Sequence, residues 1–404
     1  MKQRNPAVIF IFFTLLLDVI GFGIIIPVMP ALITELTNEP LSKASVYSGW
    51  LMFAFAVMQF IFSPIMGGLS DKFGRRPILL FSLFGFALDY LLLALAPNLF
   101  WLFVGRIIAG ITGASFTTAT AYIADVSEPE KRTQNFGLVG AAFGIGFIIG
   151  PVLGGLLGQF GTRLPFYGAA ILTIMNLLYG YFILPESLSK NNRRNFDWKR
   201  ANPIGSLLHF KKYPVLAGLI LSLIFIYLAA HAVQSTWTFY TIELFNWSET
   251  TIGISLGVVG VLVAFVQGFL IRYTTPYFGQ KKSVFIGLAF YTLGLTLFGF
   301  ASTSWMMFLY LVPYCLGGIA GPALQGIISN QVDANQQGEL QGALASLMSL
   351  TSIIGPPLMT NLFAMSIKPN ASFYLPGIPF FTGAIFMLVS LFLAWKTLRS
   401  HQLK

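Results

Sequence analysis

Charge is what this sequence has least of. Only 9% of its 404 residues are Asp, Glu, Lys or Arg, where a soluble domain carries roughly 25%. With 56% hydrophobic residues, the folded chain cannot cover itself with polar groups, which excludes a water-soluble globule and leaves lipid as its surroundings. One cysteine, Cys315, excludes an internal disulfide and reads as a small packing residue in an apolar run. There is no His/Cys metal spacing, no P-loop and no Gly-x-Ser-x-Gly elbow, so no enzyme, metal site or cofactor is expected. The net charge of +10 does not point to nucleic acid, because the basic residues sit in loops between apolar spans, not on one face.

What is present is a series of apolar runs. Inside hydrocarbon every peptide group must be satisfied within its own segment, so each run of about 20 residues is a helix and each polar island a loop. Twelve runs are found, near 7–35, 45–67, 77–95, 99–123, 134–158, 165–184, 214–240, 249–271, 282–300, 304–329, 338–365 and 374–396. The first lacks a small-residue cleavage site and reads as a retained membrane helix. Twenty Lys and Arg lie at the termini and in the even-numbered loops, against three in the opposite loops, which predicts that both termini face the cytoplasm.

The longest polar stretch, Pro185 to Lys212, follows span six and reads as a linker. The expected organisation is a bundle over 1–184, a cytoplasmic linker over 185–213 and a second bundle over 214–404. An offset of 205 residues places Gly74 on Gly279, Gly113 on Gly318, Gly137 on Gly342 and Gly150-Pro151 on Gly355-Pro356, so the halves read as repeats. The intramembrane charges stay in the first half, since Asp18 falls on Leu223, Asp71 on Pro276, Arg106 on Leu311 and Asp125 on Asn330. That asymmetry assigns ion coupling to the first bundle.

Polar residues inside spans are expensive and carry the candidate chemistry. Asp18 in span one is either a proton carrier, since burial disfavours its charged form, or a static hydrogen-bonded residue. Asp89 in span three has the same two readings. Arg106 in span four needs an anionic or carbonyl partner, as a fixed cation tuning a carboxylate or as half of a structural ion pair. Gly67, Asp71, Gly74, Arg75 and Arg76 form the turn after span two, and with Asp125 they can latch the ends of spans two to four or simply be solvated. In span five, Gly146, Gly150 and Gly154 recur every four residues beside Gly137, Pro151 and Gly155, a flat kinked ridge for close helix contact. His231, Gln59, Gln234, Gln267 and Gln325 could orient a ligand or bond across helices.

These residues resemble motifs of the major facilitator superfamily. Gly67-x3-Asp71-Lys72-x-Gly74-Arg75-Arg76 is similar to its motif A, Arg106-x3-Gly110-x2-Gly113 to motif B, and Gly137-x8-Gly146-x3-Gly150-Pro151-x2-Gly154-Gly155 to the motif C of drug–proton antiporters. Leu17-Asp18-Val19-Ile20-Gly21-Phe22-Gly23, Leu88-Asp89-Tyr90-Leu91-Leu92-Leu93-Ala94 and Pro322-Ala323-Leu324-Gln325-Gly326 look like the tetracycline-resistance subgroup. The chain departs from that subgroup at Val263 and Tyr291, where a His and an Asp are typical, which suggests a more apolar or differently charged substrate.

The resemblance implies two six-helix bundles in an all-α membrane fold, with a central cavity between spans one, four, seven and ten. It implies proton-coupled export of an amphipathic organic compound across a bacterial inner membrane by a monomer. Asp18, Arg106 and Asp89 would couple the proton, and the motif-A cluster with Asp125 would gate. Import of a nutrient or metal chelate, and a non-transporting receptor, are the alternative readings.

Overall fold

The computed structural model describes residues 6–113, 115–127, 132–196, 216–332, 337–368 and 374–400. Among them are fifteen α-helices and no strand. Eleven segments are long and apolar enough to cross a membrane, and one of these, Glu249–Gly299, runs for 51 residues. At about 1.5 Å per residue it would reach roughly 77 Å, more than twice a hydrocarbon core of about 30 Å. It is two spans, because Gly279 breaks it with a φ of 75°. Twelve spans result, the number expected from the apolar runs.

Gly74, which joins α3 (Leu41–Phe73) to α4 (Arg75–Leu95), also has positive φ, at 110°. It lies 205 residues before Gly279. Only glycine enters that backbone region without strain, so the same hairpin device closes the equivalent turn in each repeat. Span four is likewise interrupted at Gly113, between α5 (Leu99–Thr112) and α6 (Ser115–Val126). Its counterpart passes through a 3-10 turn, Gly317–Ile319, between α12 (Ser304–Leu316) and α13 (Ala320–Asn330). Span one, expected as one run over 7–35, is two helices, α1 (Pro6–Ile25) and α2 (Met29–Thr37), parted around Pro27.

Two compact units emerge. One contains Met1–Asn38, Ala54–Pro203 and Ser248–Gly257; the other Glu39–Phe53, Ile204–Trp247 and Val258–Lys404. In the first, α1 packs on α7 (Arg132–Gly158) and α8 (Leu164–Ile183), while α4 packs on α8 and α5. In the second, α9 (Ala217–Phe245) packs on α14 (Gln337–Ile367) and α15 (Ile378–Ser400), and α11 (Ile271–Gly299) on α15. Shifted by 205 residues, the first set of neighbours becomes the second.

The first unit is held by an apolar cluster of Phe10, Ile11, Leu15, Leu79, Tyr122, Ile123 and Val139, drawn from α1, α4, α6 and α7. Its outer faces carry Phe84, Ile171, Met175 and Leu178, each at least half exposed. Such a surface is stable only against lipid. Of the expected linker, 197–213 lies outside the described residues, whereas Pro185–Phe196 lies against the first unit.

Candidate functional site

Asp18 lies in α1, where its Oδ1 accepts a hydrogen bond from Asn176 Nδ2 of α8 at 3.4 Å. The same amide nitrogen donates to the Thr14 carbonyl at 3.1 Å. From α4, the Tyr90 ring lies against Gly21, and Tyr90 interacts electrostatically with Asp18. Asn176 is fully buried. Nothing in the sequence singled it out, because a lone amide in an apolar run looks like any helix-to-helix hydrogen bond.

Arg106 is paired with Asp89. Its Nε donates to Asp89 Oδ1 at 3.2 Å, and its Nη2 donates to Oδ2, in a bidentate contact between α5 and α4. Asp89 is fully buried and Arg106 is 7% exposed. Gly105 makes the room, since a Cβ there would stand 2.7 Å from Asp89 Oδ1. At Gly110 a Cβ would meet Phe55 O of α3 at 2.6 Å, and Gln59 Nε2 donates to Gly113 O at 3.3 Å. The glycines of this stretch therefore let α3 and the Asp89 carboxylate approach span four closely.

The turn between α3 and α4 gathers its charged residues as well. Arg75 Nη1 contacts Asp71 Oδ1 at 2.5 Å and Ser70 Oγ at 2.9 Å, while its Nε reaches Asp125 Oδ2 of α6 at 3.1 Å. The Arg75 side chain is 11% exposed and so more strongly bound than an ordinary surface charge. Arg76 does not join the cluster; its Nη2 donates to the Tyr181 carbonyl at 2.6 Å. Gly67 has open space around its Cβ position, whereas Gly68 packs on Phe196.

Sequence reasoning missed Glu186. Its carboxylate accepts from the backbone N–H of Arg75 at 2.8 Å and of Arg76 at 3.2 Å, capping the first turn of α4. A Cβ on Gly74 would collide with it. Ser187 Oγ donates to Asp125 Oδ2 at 3.0 Å, and the Arg194 N–H to Asp71 O at 3.1 Å, so the chain after span six straps the turn. Glu186→Ala is expected to cost about 1 kcal/mol, read as a lower thermal midpoint in detergent and faster proteolysis within 185–196.

In α7 the ridge faces α1, the helix that carries Asp18. A Cβ on Gly146 would stand 2.8 Å from Val19 Cβ, and one on Gly150 would stand 2.7 Å from Ile20 O and 2.9 Å from Gly23 Cα; Gly154 abuts the Ile24 backbone. Gly155 packs against the backbone of Glu249 and Thr250, and the Thr250 hydroxyl donates to Gly155 O at 3.0 Å. Pro151 lies inside α7 and touches Gly23. Gly137 faces open space.

In the second unit, His231 of α9 is buried, with its ring against Gly355 and no hydrogen-bond partner for Nδ1 among the described residues. Gln325 Nε2 donates to the Tyr227 hydroxyl at 2.9 Å. Gln234 is exposed, as is Gln267, which falls in a π-helical turn, Val266–Leu270. Such turns recur at functional sites. Tyr291 is edge-on to Tyr314 at 5.3 Å, with its ring against Gly317. The counterparts of Arg75 and Asp125 are Gln280 and Asn330, and these amides also meet, Asn330 Nδ2 to Gln280 Oε1 at 3.4 Å. The contact persists in the repeat with its charge removed.

Twelve apolar spans in two repeats, with a carboxylate and an ion pair held inside them, define a multi-pass membrane protein of the secondary-transporter class. The family model described as Major Facilitator Superfamily matches residues 11–277 and 232–402. The chain belongs to the Major Facilitator Superfamily. It is 42% identical to the class C tetracycline resistance protein of Escherichia coli over 391 residues, 97% of this chain and 96% of that protein. It is 38% identical to the class H tetracycline resistance protein of Pasteurella multocida, over 97% of this chain and 96% of that one. In fold it is similar to a crystal structure of a bacterial homologue of the human lysosomal transporter Spinster. There the TM-score is 0.79 at 16% identity, covering 99% of this chain and 98% of the other.

Proposed function

We propose that this protein exports amphipathic organic compounds across a bacterial cell membrane in exchange for protons, by alternating access. The observation that carries the proposal is the placement of Asp18. A half-buried carboxylate sits on α1, and the same helix packs through its backbone on the glycine ridge of α7. Protonation and helix movement are thereby joined in one element, as exchange requires. The likeness to tetracycline resistance proteins over nearly the full chain supports export as the direction.

In this reading Asp18 carries the proton. The Asp89–Arg106 pair anchors span four against span three beside it. Arg75, with Asp71, Asp125 and Glu186, holds the ends of spans two to four together in one of the two access states, and Arg76 and Gly74 complete that turn. Gln59, His231, Gln234, Gln267 and Gln325 supply polar contacts to substrate, and no metal or cofactor takes part. The distribution of basic residues supports cytoplasmic termini and a cytoplasmic face for the Arg75 turn. Val263 and Tyr291 make the substrate site more apolar, and the protein acts as a monomer.

The test is lumenal pH in proteoliposomes of known protein orientation, with an imposed inside-acid gradient and a panel of amphipathic compounds that includes tetracycline. Proton release driven by a compound is expected from wild type and not from Asp18→Asn. If no compound moves protons in wild type, the exporter reading is wrong; full transport in Asp18→Asn would remove the carrier role from that residue.

A further inference from the structure

We infer that Asn176 is a positioning residue for proton exchange, a fixed hydrogen-bond donor that keeps the deprotonated form of Asp18 accessible inside the membrane. The inference rests on the reading of Asp18 given above. It starts from a peculiarity of the amide: Asn176 is fully buried, its Nδ2 donates to both Thr14 O and Asp18 Oδ1, and its Oδ1 has no partner among the described residues.

A buried amide oxygen without a partner is costly and rare. A side chain kept only for packing would be apolar at such a position. The orientation is set by Thr14, since turning the amide over would point Oδ1 at the Thr14 carbonyl and lose that hydrogen bond. The N–H therefore always faces Asp18. A donor in that place stabilises a carboxylate and does nothing comparable for a carboxylic acid, so it favours the charged form over the neutral one.

The charged groups described on the helices packed against α1 are committed elsewhere. Tyr90 of α4 is a neutral hydroxyl that interacts with it, and the neighbouring Asp89 is satisfied by Arg106. In α6 the Tyr122 hydroxyl is given to Pro185 O and Asp125 is held by Arg75. Between 135 and 158, α7 has no ionisable residue. In α8, Tyr179 is stacked on Phe10 at 4.5 Å.

The experiment compares Asn176→Leu, which removes the donor at similar size, with Asn176→Ser, which restores a smaller hydroxyl donor, and with wild type and Asp18→Asn. Each is reconstituted and assayed for gradient-driven transport from pH 5 to 9. Substrate counterflow without a gradient is measured alongside to report intact folding and binding. Without the donor the protonated form persists to higher pH, so the pH midpoint of Asn176→Leu should rise by about half a unit or more. Counterflow should stay near wild type, and Asn176→Ser should recover part of the shift.

An unchanged midpoint in both Asn176 variants, with counterflow intact and Asp18→Asn inactive, overturns the positioning role and leaves the Asp18 reading standing. Parallel loss of counterflow and driven transport in both variants, without a shift, shows a structural role instead and also overturns it. Retained driven transport in Asp18→Asn identifies the Asp18 reading as the part that failed.

Discussion

Asp89→Asn is expected to destabilise this protein by about 3–5 kcal/mol, because it leaves the buried Arg106 guanidinium without a counter-charge. Arg106 cannot discard its proton to escape the cost, and with 7% of its surface exposed it has little water to turn to. The ring of Phe55, 6.0 Å from the guanidinium carbon, compensates only weakly. Retention on size exclusion after graded heating in detergent measures the effect. The double variant Asp89→Leu with Arg106→Leu removes both charges together and should recover much of the loss, since an ion pair replaced by apolar groups is often close to neutral. A double variant no more stable than Asp89→Asn would show that the pair is needed for more than its own neutralisation.

Gly150→Val should abolish gradient-driven transport and also weaken the fold. The first added carbon would meet Ile20 O and Gly23 Cα, both backbone atoms, so α1 and α7 must separate. Overpacking of this kind costs typically about 1–3 kcal/mol. The displaced helix is the one that carries Asp18, so transport should fall further than stability alone explains. Gly140→Ala and Gly144→Ala in the same helix are the controls. Both positions face open space, and alanine is better than glycine in a helix by roughly 1 kcal/mol, so they should be neutral or mildly stabilising. Melting midpoints and proteoliposome flux for the three variants separate steric from propensity effects.

Much of this architecture is legible in the order of residues. The apolar runs specify twelve spans, and the 205-residue offset exposes the repeat through the glycines at 74 and 279, whose backbone angles only glycine readily adopts. The charged turn and Asp125 stand out because charge beside hydrocarbon is rare, and the fold brings Asp71, Arg75 and Asp125 together. The glycine ridge is visible from its four-residue spacing, but its partner, α1, is not. The separate path of Arg76 and the open space around Gly67 could not be inferred from their places in a motif.

What escapes the sequence is the set of pairings. Arg106 could have served any of several carboxylates and takes Asp89. Asn176 reaches Asp18 across 158 residues, Glu186 reaches the turn across 111, and Gln325 finds Tyr227 across 98. The number of spans, their repeat and the places where charge enters the membrane follow from the chain alone, because hydrocarbon forces each segment to satisfy its own backbone, and that constraint is local. Which buried groups meet is settled by packing. It depends on how each helix is rotated about its axis and how closely glycine lets it approach a neighbour, and no single span encodes either.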